Sequence, residues 1–221
     1  LLAMQHPQSA LPELGRCARE LGMRCVEICT NVAGKELSTP ELEPVWARLE
    51  ALGMVVFIHP TGFTQGERLR EHYLNNVIGN PLESTIAVSH LIFGGTLDRH
   101  PKLKIVVPHG GGFVGSYPFR MDHAWRARAD CRMNIKRKPT EYLRRLYFDT
   151  ILFDPRALGH LIELWGAEHV VLGTDYPYDM GDYDPLGSIK AVKGLSADER
   201  AAIAGGNAAK LLGIRRRLAK R

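Results

Sequence analysis

The chain alternates two kinds of apolar pattern, and that alternation leaves very few architectures open to it. Apolar residues at helical spacing (Leu14, Cys17, Ala18, Leu21) in a segment opened by Pro12 stop at Gly22, and a strand-like run follows over 24–29. The pattern then repeats. Pro40 opens a helix through Leu42, Val45, Trp46, Leu49 and Leu52, Gly53 ends it, and Met54-Val55-Val56-Phe57-Ile58 reads as a buried strand. A longer excursion over 61–99 reads as two helices, the second opened by Pro81, and leads into a strand at 103–107. Helical stretches from Val114 onward precede a strand at 146–149, and a helix at 155–165 precedes a strand at 169–173. Ser196, with Glu199 three residues on, caps a further helix, and a last one covers 208–212. Short apolar strands separated by helices call for a parallel sheet covered on both faces, because each crossover helix must bury its own apolar stripe. The class is α/β in a single domain over 1–221, either doubly wound or a (β/α)8 TIM-type barrel. Neither G-x-G-x-x-G after the first strand nor G-x-x-x-x-G-K-[ST] is present, so dinucleotide and P-loop folds lose their signatures.

Composition narrows the partners. With 45% hydrophobic and 24% charged residues in 221, the chain falls in the ordinary globular range. No apolar run approaches the roughly 18 residues that cross a bilayer, so no membrane contact is expected. The formal charge of +5 resides in the end of the chain, because 215–221 holds five of the 29 cations and the remainder balances the 24 acids. No aromatic residue is interleaved there for base stacking, which argues for a solvated tail and against a nucleic-acid partner. Cys17, Cys25, Cys29 and Cys131 make no CxxC pair, and a strand would hold Cys25 and Cys29 about 13 Å apart. That usage fits a reducing cytoplasm. The opening Leu1-Leu2-Ala3-Met4 has neither an initiating Met nor the basic flank of a secretory signal, so a missing start is expected.

Three strands run out into residues that bind metals: Ile58-His59-Pro60, Pro108-His109-Gly110-Gly111-Gly112 and Gly173-Thr174-Asp175-Tyr176-Pro177. In a parallel α/β sheet, residues just past the carboxyl ends of strands converge on one rim. A lone strand-end histidine is an ordinary loop residue. Three such ends in register, each beside Gly or Pro, favour a site over three unrelated loops. A divalent metal there would lower the pKa of a bound water to about 7, with a neighbouring His to shuttle its proton. Asp149, ending the strand at 146–149, is equally readable as a pocket residue or as a cap for the following loop. Tyr73 and Tyr178 are candidates to wall an aromatic or dienoic substrate.

The stretches Gly79-Asn80-Pro81-Leu82-Glu83-Ser84-Thr85, His100-Pro101-Lys102-Leu103, His109-Gly110-Gly111-Gly112, Gly173-Thr174-Asp175-Tyr176-Pro177 and Asn207-Ala208-Ala209-Lys210-Leu211-Leu212 together resemble the amidohydrolase-related metal enzymes. Within them the chain is similar to the aminocarboxymuconate-semialdehyde decarboxylase group. The resemblance implies a (β/α)8 barrel of the metal-dependent hydrolase superfamily, with His59 and Asp175 as ligands of Zn2+ or another divalent metal. It implies His109 as a catalytic histidine beside the metal, and Arg120 as the arginine that grips a substrate carboxylate across a homodimer interface. Arg suits that task because its planar fork makes two parallel hydrogen bonds to a carboxylate.

One departure stands out: the family carries a His-x-His or Glu-x-His pair on its first strand. The nine histidines (6, 59, 72, 90, 100, 109, 123, 160, 169) include no pair two apart. Strands one to three are therefore expected to be absent, and His6 reads as a loop residue. The expected activity is decarboxylation of a small unsaturated or aromatic carboxylic acid. Hydroxide addition assisted by His109 and carbon protonation by Asp175 both stay open as routes. The alternatives are a metal-dependent hydrolase of a lactone or amide, and a non-catalytic scaffold that keeps only the dimer surface.

Overall fold

A computed structural model of the chain describes residues 2–63 and 65–214; the basic tail read at 215–221 lies outside the described residues. Among the described residues seven strands form: β1 (Cys25–Cys29), β2 (Asn31–Val32), β3 (Lys35–Glu36), β4 (Val55–His59), β5 (Lys104–Val107), β6 (Tyr147–Asp149) and β7 (Val170–Val171). Five of them make one sheet in the order β1-β4-β5-β6-β7, every pair parallel. Spatial order equals chain order, as in a (β/α)8 barrel, and a helix follows each strand.

Alternation along the strands divides the sheet into two faces. Val56, Ile58, Ile105, Val107, Phe148 and Val170 point into the main core, where they meet Trp46, Leu49, Leu91 and Leu161 from the covering helices. Val55, Val106 and Val171 point the other way and form a second cluster with Leu211, flanked by Phe57 and Tyr147. Leu211 belongs to the last described helix (Asn207–Leu211), which is tied to the sheet by Asn207. The Asn207 amide donates to the carbonyls of Ala167 and Val170, both at 2.7 Å.

Local chemistry sets the boundaries. Gly53 ends the helix Glu43–Leu52 at φ 61, the left-handed region that favours glycine. Asp154 caps the helix Pro155–Trp165 by accepting from the amides of Arg156 and Ala157. Ser196 and Glu199 make the reciprocal capping box.

Three expectations need correction. The first helix runs Pro7–Arg19 and contains Pro12 instead of starting there; Pro12 is exposed, so the carbonyl it leaves unpaired faces water. The excursion over 61–99 holds one long helix (Asn80–Phe93), entered through a π-helical turn (Asn75–Gly79) and followed by the short helix Thr96–Arg99. Strands β2 and β3 form a small antiparallel hairpin that the periodicity does not announce. Among the described residues no helix is long and apolar enough to cross a membrane.

Candidate metal centre

His59 is the last residue of β4 and shares the face of Val55 and Phe57, so it emerges at the carboxyl end of the sheet. Its ring tilts against Phe57 at 5.9 Å between centroids and meets the His109 ring nearly edge-on at 5.5 Å. His109 arrives by a different device. After β5 the chain is extended at Pro108, then passes through four left-handed residues, His109 at φ 56, Gly110 at 59, Gly111 at 80 and Gly112 at 56. Glycine takes such angles freely. At Gly112 it is also required by space, since a Cβ there would run into the Pro81 carbonyl oxygen. His109 has no such freedom, and neither does Asp175, which follows β7 at φ 50. Strained backbone of this kind survives where surrounding contacts fix it, and it concentrates at functional sites.

The three side chains meet. One nitrogen from each histidine and one carboxylate oxygen of Asp175 lie within 4.8 Å of one another. His109 Nε2 stands 3.3 Å from Asp175 Oδ2, with the side chains 12% and 21% exposed. The His109 hydrogen bond holds the Asp175 carboxyl below the ordinary aspartate range; burial opposes this, and the charges of His109 and His59 add to the lowering. The other nitrogen of His109, Nδ1, is buried without a hydrogen-bond partner. Two imidazoles and a carboxylate form a nitrogen/nitrogen/oxygen set that suits zinc and related divalent ions. Three protein donors with coordination positions left over are the pattern of catalytic metal sites, so these residues fit a divalent metal.

Beside them opens a cavity of about 360 Å³. Its walls are Asn76, Val77, Asn80 and Pro81 from the π-helical turn and the helix it enters, Phe113 and Ser116 after the glycine run, Ile151, Leu152 and Phe153 after β6, and Met180 beyond Asp175. Tyr73 and Tyr178 are not among the residues lining this cavity, whose apolar side chains include Val77, Phe113, Phe153 and Met180. Both tyrosines are exposed, and the Tyr73 hydroxyl turns outward to donate to Asp179 Oδ1 at 3.0 Å. Arg120 is exposed in the first turn of the helix Phe119–Ala127 and is absent from its own chain's cavity lining. Asp149 is buried and accepts from the amides of Gly110, at 2.9 Å, and Ile151, at 3.1 Å, so it caps the following loop. Burial pushes its carboxyl pKa up. Phe113 was accessible to sequence reasoning because it follows the glycine run directly; Asn76 and Phe153 carried no signal of their own.

Known proteins resemble this chain to different depths. The chain is 38% identical over 217 residues to the 2-amino-3-carboxymuconate-6-semialdehyde decarboxylase of Dictyostelium discoideum, covering 96% of this chain and 60% of that protein. The crystal structure of 5-carboxyvanillate decarboxylase from Sphingomonas paucimobilis superposes with a TM-score of 0.86 at 30% identity, covering 95% of this chain and 64% of that one. A dihydroxybenzoic acid decarboxylase from Polaromonas sp. JS666, solved with bound manganese and the inhibitor 2-nitroresorcinol, gives a TM-score of 0.86 at 25% identity over 96% of this chain and 68% of that one. The chain thus spans less than two thirds of the length of the first two. Residues 1–214 match the amidohydrolase family model, and with that match joined to the identity to its relatives, the chain belongs to the amidohydrolase family.

Proposed function

We propose that this chain is part of a metal-dependent decarboxylase, a carbon–carbon lyase acting on a small unsaturated or aromatic carboxylic acid. The observation that carries the reading is the meeting of His59, His109 and Asp175 at the wall of a cavity with a largely apolar lining. His59 and Asp175 would hold a divalent ion, Zn2+ in our reading, although a relative was solved with manganese. The bound ion would supply Lewis acidity to a substrate oxygen or to water. His109 Nε2, within hydrogen-bond reach of Asp175, can hold a proton and pass it to a group in the cavity. Asp175, whose carboxyl that contact holds below the ordinary aspartate range, can orient the imidazole. Phe113, Phe153, Val77 and Met180 give the cavity an apolar wall that a bound substrate would cover, and a site dried in that way favours converting a charged carboxylate into neutral CO2.

Among the described residues no Lys or Arg lines the cavity, so a carboxylate substrate needs its cation from elsewhere. We assign that role to Arg120 reaching the partner subunit's cavity in a homodimer. The four free thiols fit a cytoplasmic protein, and we take 1–221 as part of a single barrel domain. The test supplies zinc or manganese and a panel of aromatic and dienoic acids, with CO2 release as the readout. Turnover of lactones or amides without CO2 release would replace this reading with a hydrolase. Metal binding without any turnover, in this chain and in a longer version of it, would leave a scaffold.

A further inference from the structure

Asp149 touches both strand ends that carry the strained site residues. Its carboxylate accepts from the Gly110 amide at 2.9 Å, directly beside His109, and from the Ile151 amide at 3.1 Å. On its other side it abuts Gly173, two residues before Asp175: a Cβ added to Gly173 would lie 3.0 Å from the Asp149 Cβ and 3.1 Å from its Oδ2. The next residue repeats the link, because the Thr150 hydroxyl accepts from the Gly173 amide at 3.2 Å and faces its carbonyl at 3.3 Å. Asp149 is 3% exposed and makes no ion pair with a Lys or Arg among the described residues; its carboxylate serves these backbone groups.

We propose that Asp149 is a positioning residue of the metal centre: by fixing the turn at Gly110 on one side and packing against Gly173 on the other, it sets the approach of His109 to Asp175. Two physical points support this. A left-handed histidine is held only if its neighbours prevent relaxation, and the turn's amide is anchored to a side chain that is itself locked by burial. A glycine at 173 lets the Asp149 side chain sit against the strand end that leads to Asp175, so neither strand end can shift without the other. The inference rests on the proposed metal centre for its consequence but not for its geometry.

The test compares Asp149→Ala, Asp149→Asn and Gly173→Ala in the whole chain, with Leu158→Ala as a core control of lowered stability. Long-range nitrogen NMR of the metal-free protein reads the imidazoles of His59 and His109, and competition with a chelator reads zinc affinity. Removing such supporting contacts commonly costs tenfold to a hundredfold in metal affinity. Asp149→Ala should displace the His109 signals and lower zinc affinity at least tenfold. Asp149→Asn retains an acceptor oxygen and should restore both to within about threefold of the parent. Leu158→Ala should move neither, which separates positioning from general loss of stability. If Asp149→Ala fails to fold, Gly173→Ala decides, because its methyl presses on Asp149 and should displace the His109 signals. Unchanged His109 signals in the folded variants would overturn the proposal. A parent chain that binds no zinc would count against the metal centre alone, since the imidazole signals still report on Asp149.

Discussion

His109 and Asp175 each occupy a backbone region that costs a non-glycine residue roughly 1–2 kcal/mol, and each is returned there by contacts that only the folded chain provides. Their shared contact gives a direct prediction. Asp175→Asn preserves shape but removes the charge, so zinc affinity should fall at least tenfold while the melting temperature stays close to the parent's, read by chelator competition and thermal denaturation. Tyr73→Phe is the contrasting case: its exposed hydroxyl bond to Asp179 should change stability by no more than about 0.5 kcal/mol in denaturant titration. His59, His109 and Asp175 were legible in the sequence because each terminates an apolar run, and a parallel sheet sends all such ends to one rim. Asp149 was legible as a pocket residue or a loop cap, but its bond to Gly110 was not, because Gly110 lies 39 residues away and the bond exists only once β5 and β6 are neighbours.

At the scale of elements, the glycine run and the charged seam between helices carry the checkable consequences. Gly112→Ala combines a positive φ with a collision against the Pro81 carbonyl, and should cost about 2–4 kcal/mol in chemical denaturation. Glu43, opening the helix Glu43–Leu52, takes two 2.8 Å hydrogen bonds from Arg99 and lies 2.8 Å from His100 Nε2. The Arg99 bonds foremost, with His100 adding, hold its carboxyl below the ordinary glutamate value. A depressed folded-state pKa means that the stabilisation is fully present above the unfolded value of about 4.3 and is lost as pH falls through the folded one. The stability difference between the parent and Glu43→Gln, read by denaturant titration, should therefore shrink as pH falls below about 4. Strands β4, β5 and β7 were readable because buried parallel strands are continuous apolar runs, whereas β1, which carries Glu27, was readable from the helix and Gly22 before it. The π-helical turn Asn75–Gly79 was not, since an extra residue per turn breaks the 3.6-residue phase on which helix reading depends. The hairpin of β2 and β3 was too short for any period to register.

For the whole molecule, an ion held by only two ligands of this chain, His59 and Asp175, should be labile, because zinc sites take three or four protein donors: zinc should be stripped by a moderate chelator, and tight stoichiometric retention would contradict the two-ligand assignment. Assembly gives the second expectation. In a full-length version, Arg120→Ala should lower substrate use roughly ten- to hundredfold, the worth of a charge-assisted pair of about 1.5–3 kcal/mol, without changing metal content. Mixing inactive His109→Ala and Arg120→Ala subunits under exchange should regain activity if the arginine works across the interface; no regain despite exchange would place its action within one subunit. The seat of the last helix also has a consequence in time. Strands that are neighbours in the sheet also follow one another in the chain, so the sheet can grow as the chain emerges, yet Val55 and Val106 meet Leu211 only once residue 211 has been made. About 150 residues separate Val55 from Leu211, which at typical synthesis rates is roughly 10 to 30 s. Throughout that interval Val55 lacks the cover of the helix Asn207–Leu211, so the nascent chain presents that face of the sheet to the ribosome surface and to chaperones.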